Sequence, residues 1–328
     1  MARPKILVTH PLFEEPRALL AFHFDGDYWE GPDRPPRAEV LRGLADKDAL
    51  IPLLTEKVDD ELLDAAPRLR IVANVAVGYD NVDLAACTRR KVAVTNTPGV
   101  LDETTADLAW ALLMAVARRI VEADTMARSG QWHGWNFDQM CGADVWGKTL
   151  GIIGLGRIGR AMARRARGFG MRVIYFNRNR VAAEVESELH AEYLPFDQVL
   201  AQADFLSLHV PLTAETRGLI GPAQLAQMKP TAFLVNTTRG PVVQEAALAE
   251  ALAAKTIAGA GLDVFEREPL IPDGLRLPNV VMTPHIGSGT IETRSKMATM
   301  AANNVVAFFE GRRPPNILNP EVLGDPRP

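Results

Sequence analysis

Short β-branched runs alternate with segments of helical spacing along nearly the whole chain. Ile6-Leu7-Val8 reads as a first strand, and Ala49-Leu50-Ile51-Pro52-Leu53-Leu54 as another short one. Asp59-Asp60-Glu61-Leu62-Leu63-Asp64 has the makings of a short helix stopped near Pro67. Leu69 to Val75 and Val92-Ala93-Val94-Thr95-Asn96 are two more strand candidates, separated by helix-forming sequence. Strands alternating with helices predict βαβ units and a parallel sheet. Residues 1–99 therefore form most of one small α/β domain, closed by the breaker Thr97-Pro98-Gly99.

From Asp102 to Ile120 the apolar residues Leu108, Leu112, Ala115 and Val116 recur at helical spacing, with Asp102 in the place of an N-cap. Almost every position from Leu108 to Ala117 is apolar, the pattern expected of a helix sandwiched between two domains. Residues 121–148 are less regular and carry Trp132, Trp135, Phe137 and Trp146. Two readings stand for them: core packing, or an exposed aromatic arm that docks on a second subunit.

A second alternating series begins at Thr149. Its strand candidates are Leu150–Ile153, Val173–Phe176, Phe205–His209, Ala232–Asn236, Gly259–Leu262 and Val280–Thr283. Six such strands fit a doubly wound dinucleotide-binding domain. Ile291 to Glu310 is helical again and can return the chain to the first domain. The expected fold class is α/β with two Rossmann-like domains. A dinucleotide-binding domain, 100–287, carries the arm at about 121–148. It is inserted into a smaller flavodoxin-like substrate domain made of 1–99 plus 288–328.

Composition narrows the function without choosing it. The chain of 328 residues is 47% hydrophobic and 23% charged, which excludes a disordered or fibrous chain. A formal net charge of −4 gives no basic footprint for nucleic acid. Cys87 and Cys141, the only cysteines, make neither a disulfide scaffold nor a zinc site, so a reducing compartment is the natural setting. The longest apolar run, Leu108 to Ala117, is about half the roughly 20 residues a membrane span needs. The N-terminal apolar stretch is too short for a signal peptide. A soluble, cytoplasmic protein is expected.

Chemistry enters with Gly154-Leu155-Gly156-Arg157-Ile158-Gly159, framed by the apolar strand Leu150-Gly151-Ile152-Ile153 and a helical continuation. That framing makes GxGxxG credible as a dinucleotide loop. Gly154 permits the tight turn, Gly156 lets the backbone approach a pyrophosphate, and Gly159 allows close helix–strand packing. The helix N-terminus offers free N–H groups to the phosphates. After the next strand an NAD enzyme normally places Asp or Glu to hold the ribose 2′-hydroxyl. Here Asn177 stands at that place, followed by Arg178, Asn179 and Arg180. Loss of the carboxylate removes repulsion against a 2′-phosphate, and arginine binds phosphate through charged hydrogen bonds. NADP(H) is the expected cofactor, with NAD(H) possible. The alternative is that the arginines belong only to a solvated loop.

Three later segments follow predicted strand ends, where open α/β sheets bind ligands. They are Val235-Asn236-Thr237-Thr238-Arg239-Gly240, Gly261-Leu262-Asp263-Val264-Phe265-Glu266-Arg267-Glu268-Pro269 and Thr283-Pro284-His285-Ile286-Gly287-Ser288. Arginine grips a substrate carboxylate through paired hydrogen bonds. Histidine hands a proton to a carbonyl oxygen as hydride arrives at carbon. A glutamate beside that histidine stabilises its protonated form and fixes the ring. Each also has a bland reading, Arg239 and Glu268 as surface charges and His285 as a strand-end histidine. His209, before Val210-Pro211, is expected to line the cofactor crevice. His10, His23, His133 and His190 have no such frame.

Across nearly its whole length the chain resembles the D-2-hydroxyacid dehydrogenases, most closely the glyoxylate/hydroxypyruvate reductase branch. The resemblance rests on several motifs in the family's order. They are Asn74-Val75-Ala76-Val77-Gly78-Tyr79-Asp80-Asn81-Val82-Asp83, Thr95-Asn96-Thr97-Pro98-Gly99, the glycine loop, Asn236-Thr237-Thr238-Arg239-Gly240, Ala260-Gly261-Leu262-Asp263-Val264-Phe265 and Pro284-His285-Ile286-Gly287-Ser288. It implies Arg239, Glu268 and His285 as the catalytic trio, and Val77 and Gly78 as backbone donors to the substrate carboxylate. It makes Thr105, Arg157, Ile158, Pro211, Thr216, Thr237 and Asp263 cofactor contacts, with Asp263 near the nicotinamide amide; Val210, Thr238 and Gly287 complete the expected cofactor set. It also implies a homodimer, in which Trp135 of one protomer reaches the other's substrate mouth, a small 2-oxo or 2-hydroxy acid as substrate, and a D-configured alcohol whenever the product is chiral.

Other readings stay open. A reductase for larger acids such as 2-ketogluconate has the same motifs. Phosphoglycerate dehydrogenase is disfavoured because the chain ends soon after the returning helix, and formate dehydrogenase because glutamate rather than glutamine would pair with His285. From another class, a nucleotide-sensing corepressor can keep the trio without turnover.

Overall fold

The computed structural model describes residues 3–324; residues 1–2 and 325–328, the outermost parts of the two terminal stretches read above, lie outside the described residues. The chain divides into two compact units. One is Asp102–Ser288; the other runs up to Leu101 and resumes at Gly289.

In the first unit, β1 (Lys5–Val8), β2 (Asp25–Tyr28), β3 (Ala49–Ile51), β4 (Ile71–Ala73) and β5 (Ala93–Thr95) form one sheet in the order β2-β1-β3-β4-β5. Every pairing is parallel. This is the flavodoxin-like order. The sequence reading missed β2, Asp-Gly-Asp-Tyr, because an edge strand needs no apolar run; it is held by its register with β1, Lys5 opposite Asp25. β1 gains Lys5, whereas β3 stops before Pro52 and β4 and β5 keep only the fully buried centres of the runs read as strands. Asp59 caps the helix Asp60–Ala65 by accepting the N–H of Leu62 at 3.2 Å. The helix Ile291–Phe309 packs on the helix Glu14–His23 and across β3 and β4. Beyond it, buried Asn319 accepts from Val94 N (2.8 Å) and donates to Val92 O (2.9 Å), tying the last segment to β5.

In the second unit, β6 (Thr149–Ile153), β7 (Arg172–Phe176), β8 (Ala191–Tyr193), β9 (Phe205–Leu208), β10 (Phe233–Asn236), β11 (Gly259–Leu262) and β12 (Val280–Met282) form a seven-stranded sheet. The order is β12-β11-β10-β9-β6-β7-β8, again all parallel. It reverses between β6 and β9, the switch point at which doubly wound sheets bind dinucleotides. Six strands match the sequence reading; β8 is the addition, a short edge strand whose Glu192 is exposed. Separate apolar clusters fill the two faces, one around Val199, Leu225 and Leu248, the other around Leu112, Met162 and Tyr175.

The long apolar helix differs from expectation in three ways. Asp102 is its first helical residue rather than its cap, and the helix ends at Ala117. Arg119 takes a left-handed conformation (φ 53°) that breaks the chain direction, and a further helix, Ile120–Arg128, occupies a stretch expected to be irregular. Leu112, Leu113, Val116 and Ala117 of the long helix pack in one cluster with Met162 and Tyr175. A Cβ at Gly261 would stand 2.9 Å from Leu112 Cβ, and one at Gly259 3.0 Å from Val116 Cγ2, so the small residues of β11 let the helix lie close on the sheet.

Core packing is not the fate of the aromatic segment. Trp132, Trp135, Phe137 and Trp146 are 60% to 88% exposed in the single chain. Among the described residues no helix is long and apolar enough to cross a membrane.

Candidate active site

The glycine loop begins where β6 ends. Gly154 has φ +101°, and a Cβ there would stand 2.6 Å from His209 O, so both conformation and space demand glycine. A Cβ at Gly159 would stand 2.2 Å from Gly154 O, so the helix Arg157–Arg167 can close on the loop only without a side chain there. Gly156 is different: a Cβ would meet nothing within 4 Å. The protein itself gives no reason for glycine at 156, whereas a pyrophosphate brought against the backbone at a helix N-terminus does. Arg157 and Ile158 form the first turn of that helix. The loop fits a dinucleotide.

At the end of β7, Asn177 Oδ1 accepts the N–H of Leu155 at 2.6 Å, so this side chain braces the glycine loop. The group it has left is Nδ2, a donor only. The two arginines after it part company. Arg180 forms a fork with Glu186, Nε to Oε1 and Nη2 to Oε2 both at 2.7 Å, and lies over the Tyr193 ring. That guanidinium, with the Tyr175 hydroxyl at 2.6 Å, holds the Glu186 carboxyl down at about 2. Arg178 lies instead on the side of Glu215, whose carboxyl is lowered first by the Thr213 hydroxyl and to a lesser degree by the Arg178 charge. Asn179 is exposed between them.

After β9, His209 Nε2 pairs with Ser207 Oγ at 2.8 Å, and burial pushes the ring down to about 4, so it is neutral at working pH. Val210 lies against Gly154, its Cγ1 3.0 Å from where a Cβ would be. The Thr216 hydroxyl donates to Pro211 O (2.6 Å) and accepts from Thr213 N (2.8 Å), closing the loop on itself. Thr237 is buried at the end of β10, and Thr105 packs beside Gly287, 3.4 Å from where that residue's Cβ would be.

Three loops of the same unit bring Arg239, Glu268 and His285 together. Asn236 organises the first: its Oδ1 accepts from Thr238 N (3.0 Å) and Oγ1 (2.7 Å), and its Nδ2 donates to Arg239 O (3.1 Å). Arg239 Nη1 donates to Thr238 O at 2.9 Å. Gly240 fits so tightly on the next loop that a Cβ would stand 1.9 Å from Phe265 C. In that loop Glu268 Oε1 accepts from Phe265 N at 3.1 Å, and Oε2 faces His285 Nδ1 at 2.8 Å. Burial pushes the Glu268 carboxyl up, but the His285 bond and charge, the Phe265 N–H and the Arg239 charge outweigh it, and the net shift is downward. A carboxylate only accepts, so Nδ1 is the donor and Nε2 is the nitrogen left for chemistry.

Asp263 sets the third loop. Its Oδ1 accepts from Thr283 Oγ1 (2.6 Å) and Ile286 N (2.8 Å), and its Oδ2 from Gly287 N (2.8 Å). His285 N also donates to Asp263 O at 2.9 Å, and the histidine is held at φ 53°, a left-handed conformation uncommon outside glycine. Burial raises the Asp263 carboxyl, against the lowering effect of those donors. Asp263 is thus the organiser of the His285 turn, a task the sequence reading did not give it. Asn236 was also missed as an organiser, although it stands inside a quoted motif. In the smaller unit, Val77 and Gly78 follow β4 in a partly exposed loop; Trp135 lies in the exposed aromatic segment.

Residues 110–287, over half of the chain, match the family described as D-isomer specific 2-hydroxyacid dehydrogenase, NAD binding domain. The chain is 52% identical to the glyoxylate reductase of Korarchaeum cryptofilum, over 98% of this chain and 97% of that protein. It is 51% identical to the glyoxylate reductase of Thermococcus litoralis, over 98% of each. Among solved structures, an NADPH-dependent glyoxylate/hydroxypyruvate reductase of Sinorhizobium meliloti, in complex with NADP and malonate, superposes with a TM-score of 0.86 at 35% identity. That match covers 97% of this chain and 98% of that one. Together with the two parallel sheets and the glycine loop at the switch point of the larger one, these matches mean that the chain belongs to the D-isomer specific 2-hydroxyacid dehydrogenases, NAD(P)-dependent oxidoreductases.

Proposed function

We propose that the protein reduces small 2-oxo acids, glyoxylate to glycolate and hydroxypyruvate to D-glycerate, with NADPH as the preferred reductant. The observation that carries this reading is the His285 Nδ1 to Glu268 Oε2 contact of 2.8 Å in the same unit as Arg239. Curated relatives about half identical to this chain are glyoxylate reductases, which supports the choice of substrate.

In this mechanism the substrate carboxylate binds the Arg239 guanidinium, with backbone N–H groups of Val77 and Gly78 as further donors. The bound nicotinamide supplies hydride to C2. His285 gives its Nε2 proton to the carbonyl oxygen, while Glu268, kept ionised, stabilises the protonated ring and fixes its orientation. Asp263 holds the turn from which His285 works. The dinucleotide is held by Gly154, Gly156 and the helix start at Arg157, Ile158 and Gly159. Thr105, His209, Val210, Pro211, Thr216, Thr237, Thr238, Asp263 and Gly287 make up the rest of the proposed lining.

NADPH preference is supported by Asn177. With Oδ1 committed to Leu155, its free Nδ2 is a donor suited to a 2′-phosphate, which only accepts. Arg178 is the arginine we assign to that phosphate, because Arg180 is occupied by Glu186. The same reading carries a cytoplasmic location and a homodimer in which the exposed arm, with Trp135, meets the partner.

Steady-state oxidation of NADPH and NADH with glyoxylate, hydroxypyruvate and 2-ketogluconate in parallel tests the substrate and cofactor reading. Fast NADPH oxidation with the two small acids is expected. A preference for 2-ketogluconate would move the substrate and keep the chemistry. No turnover with any acid, despite tight dinucleotide binding, would favour a sensor and overturn the proposal.

A further inference from the structure

The loop after β4 is held from inside at three consecutive carbonyls. Ala76 O accepts from Thr97 N at 2.9 Å, Val77 O from Asn96 Nδ2 at 2.8 Å, and Gly78 O from Asn74 Nδ2 at 3.0 Å. Asn74 and Asn96 are both buried, and they follow the ends of β4 and β5. Asn74 is in turn gripped by Asn81, with their amides exchanging bonds of 3.3 and 3.2 Å. Asn81 is itself fixed by donating to Glu56 O at 2.8 Å.

A trans peptide is planar, with its C=O and the following N–H pointing in opposite directions. Pinning the carbonyls of residues 76, 77 and 78 therefore aims the N–H groups of Val77, Gly78 and Tyr79 away from the asparagines. Among the described residues no protein acceptor takes these three donors. Successive outward N–H groups form a concave anion site.

We infer that Asn74 and Asn96 are positioning residues for substrate binding: they touch no substrate atom, but lock the amides of Gly78 and Tyr79 beside that of Val77, whose peptide Thr97 N holds, into a carboxylate-binding array of three donors. This inference rests on the proposed role of Val77 and Gly78 and adds to it both the third donor and the side chains that aim the set. Without the asparagines the 77–78 and 78–79 peptides are free to rotate, and the array has to be assembled at the moment of binding. Preorganised donors avoid that cost.

The test is Asn74→Ala and Asn96→Ala in the full chain, measuring KM for glyoxylate, the inhibition constant of oxamate, KM for the nicotinamide cofactor, and Tm. Each variant is expected to raise the first two by about tenfold, the loss that goes with one hydrogen bond to a charged group. Cofactor KM should stay within about twofold, a split that a merely structural role would not produce. Asn96 makes the simpler bond, so Asn96→Ala decides the matter if Asn74→Ala fails to fold. Unchanged glyoxylate KM and oxamate inhibition in a folded variant overturn the inference. The two failures are distinguishable: loss of glyoxylate turnover in Arg239→Ala with normal asparagine variants sinks only the positioning role, whereas normal glyoxylate kinetics in Arg239→Ala sinks the substrate reading.

Discussion

His285 and Glu268 meet at 2.8 Å through Nδ1 and Oε2, and the other carboxylate oxygen is anchored on Phe265 N, so the glutamate cannot swing away from the ring. The pair fixes the ring and presents Nε2. His285→Ala should lower kcat by about 10²- to 10⁴-fold, the usual contribution of a positioned acid. NADPH affinity, read by fluorescence titration, should change little; equal loss of both would remove His285 from the acid's role. Glu268→Gln keeps the shape and removes the carboxylate that faces Nδ1 at 2.8 Å. Its kcat should fall while NADPH affinity holds, and an unchanged kcat would mean that the ring needs no carboxylate beside it.

Arg239 owes its place to Asn236 and to the absence of a side chain at Gly240. A charged hydrogen bond contributes about 1.5–3 kcal/mol. Arg239→Ala should thus lower kcat/KM for glyoxylate by at least tenfold, mainly through KM. Arg239→Lys should restore only part of it, because an ammonium cannot make the paired contact. Full rescue by lysine would argue for a simple charge.

Two glycines of one loop should fail differently. Gly159→Ala forces a Cβ to within 2.2 Å of Gly154 O and should lower Tm markedly. Gly156→Ala meets no protein atom within 4 Å, so its Tm should stay near that of the wild type while the dissociation constant for NADPH rises. Calorimetry with and without cofactor separates the two. A Gly156→Ala variant that binds NADPH normally would mean that the dinucleotide does not approach the backbone there.

How far the sequence could be read follows from where information is local. The six apolar strands of the larger sheet were legible because a doubly covered parallel strand is a continuous apolar run. Edge strands β2 and β8 were not, since their existence depends on a neighbour's register. The break at Arg119 was illegible because a left-handed arginine has no composition signal. In the site, Gly154, Gly159 and the trio announce themselves by motif. The carboxylate of Asp263, turned onto residues 283–287, and the capture of Arg180 by Glu186 are contacts between segments, which spacing alone does not encode.

That capture separates the roles of the arginines. Arg178→Ala should lower the ratio of kcat/KM for NADPH to that for NADH by about tenfold, as loss of one charged phosphate contact implies. Arg180→Ala should leave the ratio within about twofold. The reverse outcome would place the 2′-phosphate beside Arg180 and require Glu186 to release it.

Glu186 also makes an acid-stability prediction whose sign follows from its shifted titration. Bonds from Arg180 and then Tyr175 lower its carboxyl from 4.5 to about 2. A carboxyl depressed in the folded state binds fewer protons there than when unfolded, so the stabilisation is fully present above about pH 4.5 and is lost as pH falls toward 2. Glu186→Gln removes that dependence and keeps an acceptor for the Tyr175 hydroxyl. The variant should melt below the wild type at pH 7, and the two melting curves should converge as the buffer is taken down toward pH 3. Because the Arg180 side chain is largely exposed, the gap at neutral pH should be modest and should narrow with added salt. A gap that stays constant from pH 7 to pH 3 would mean that Glu186 stabilises by packing, and that Arg180 is not its working partner.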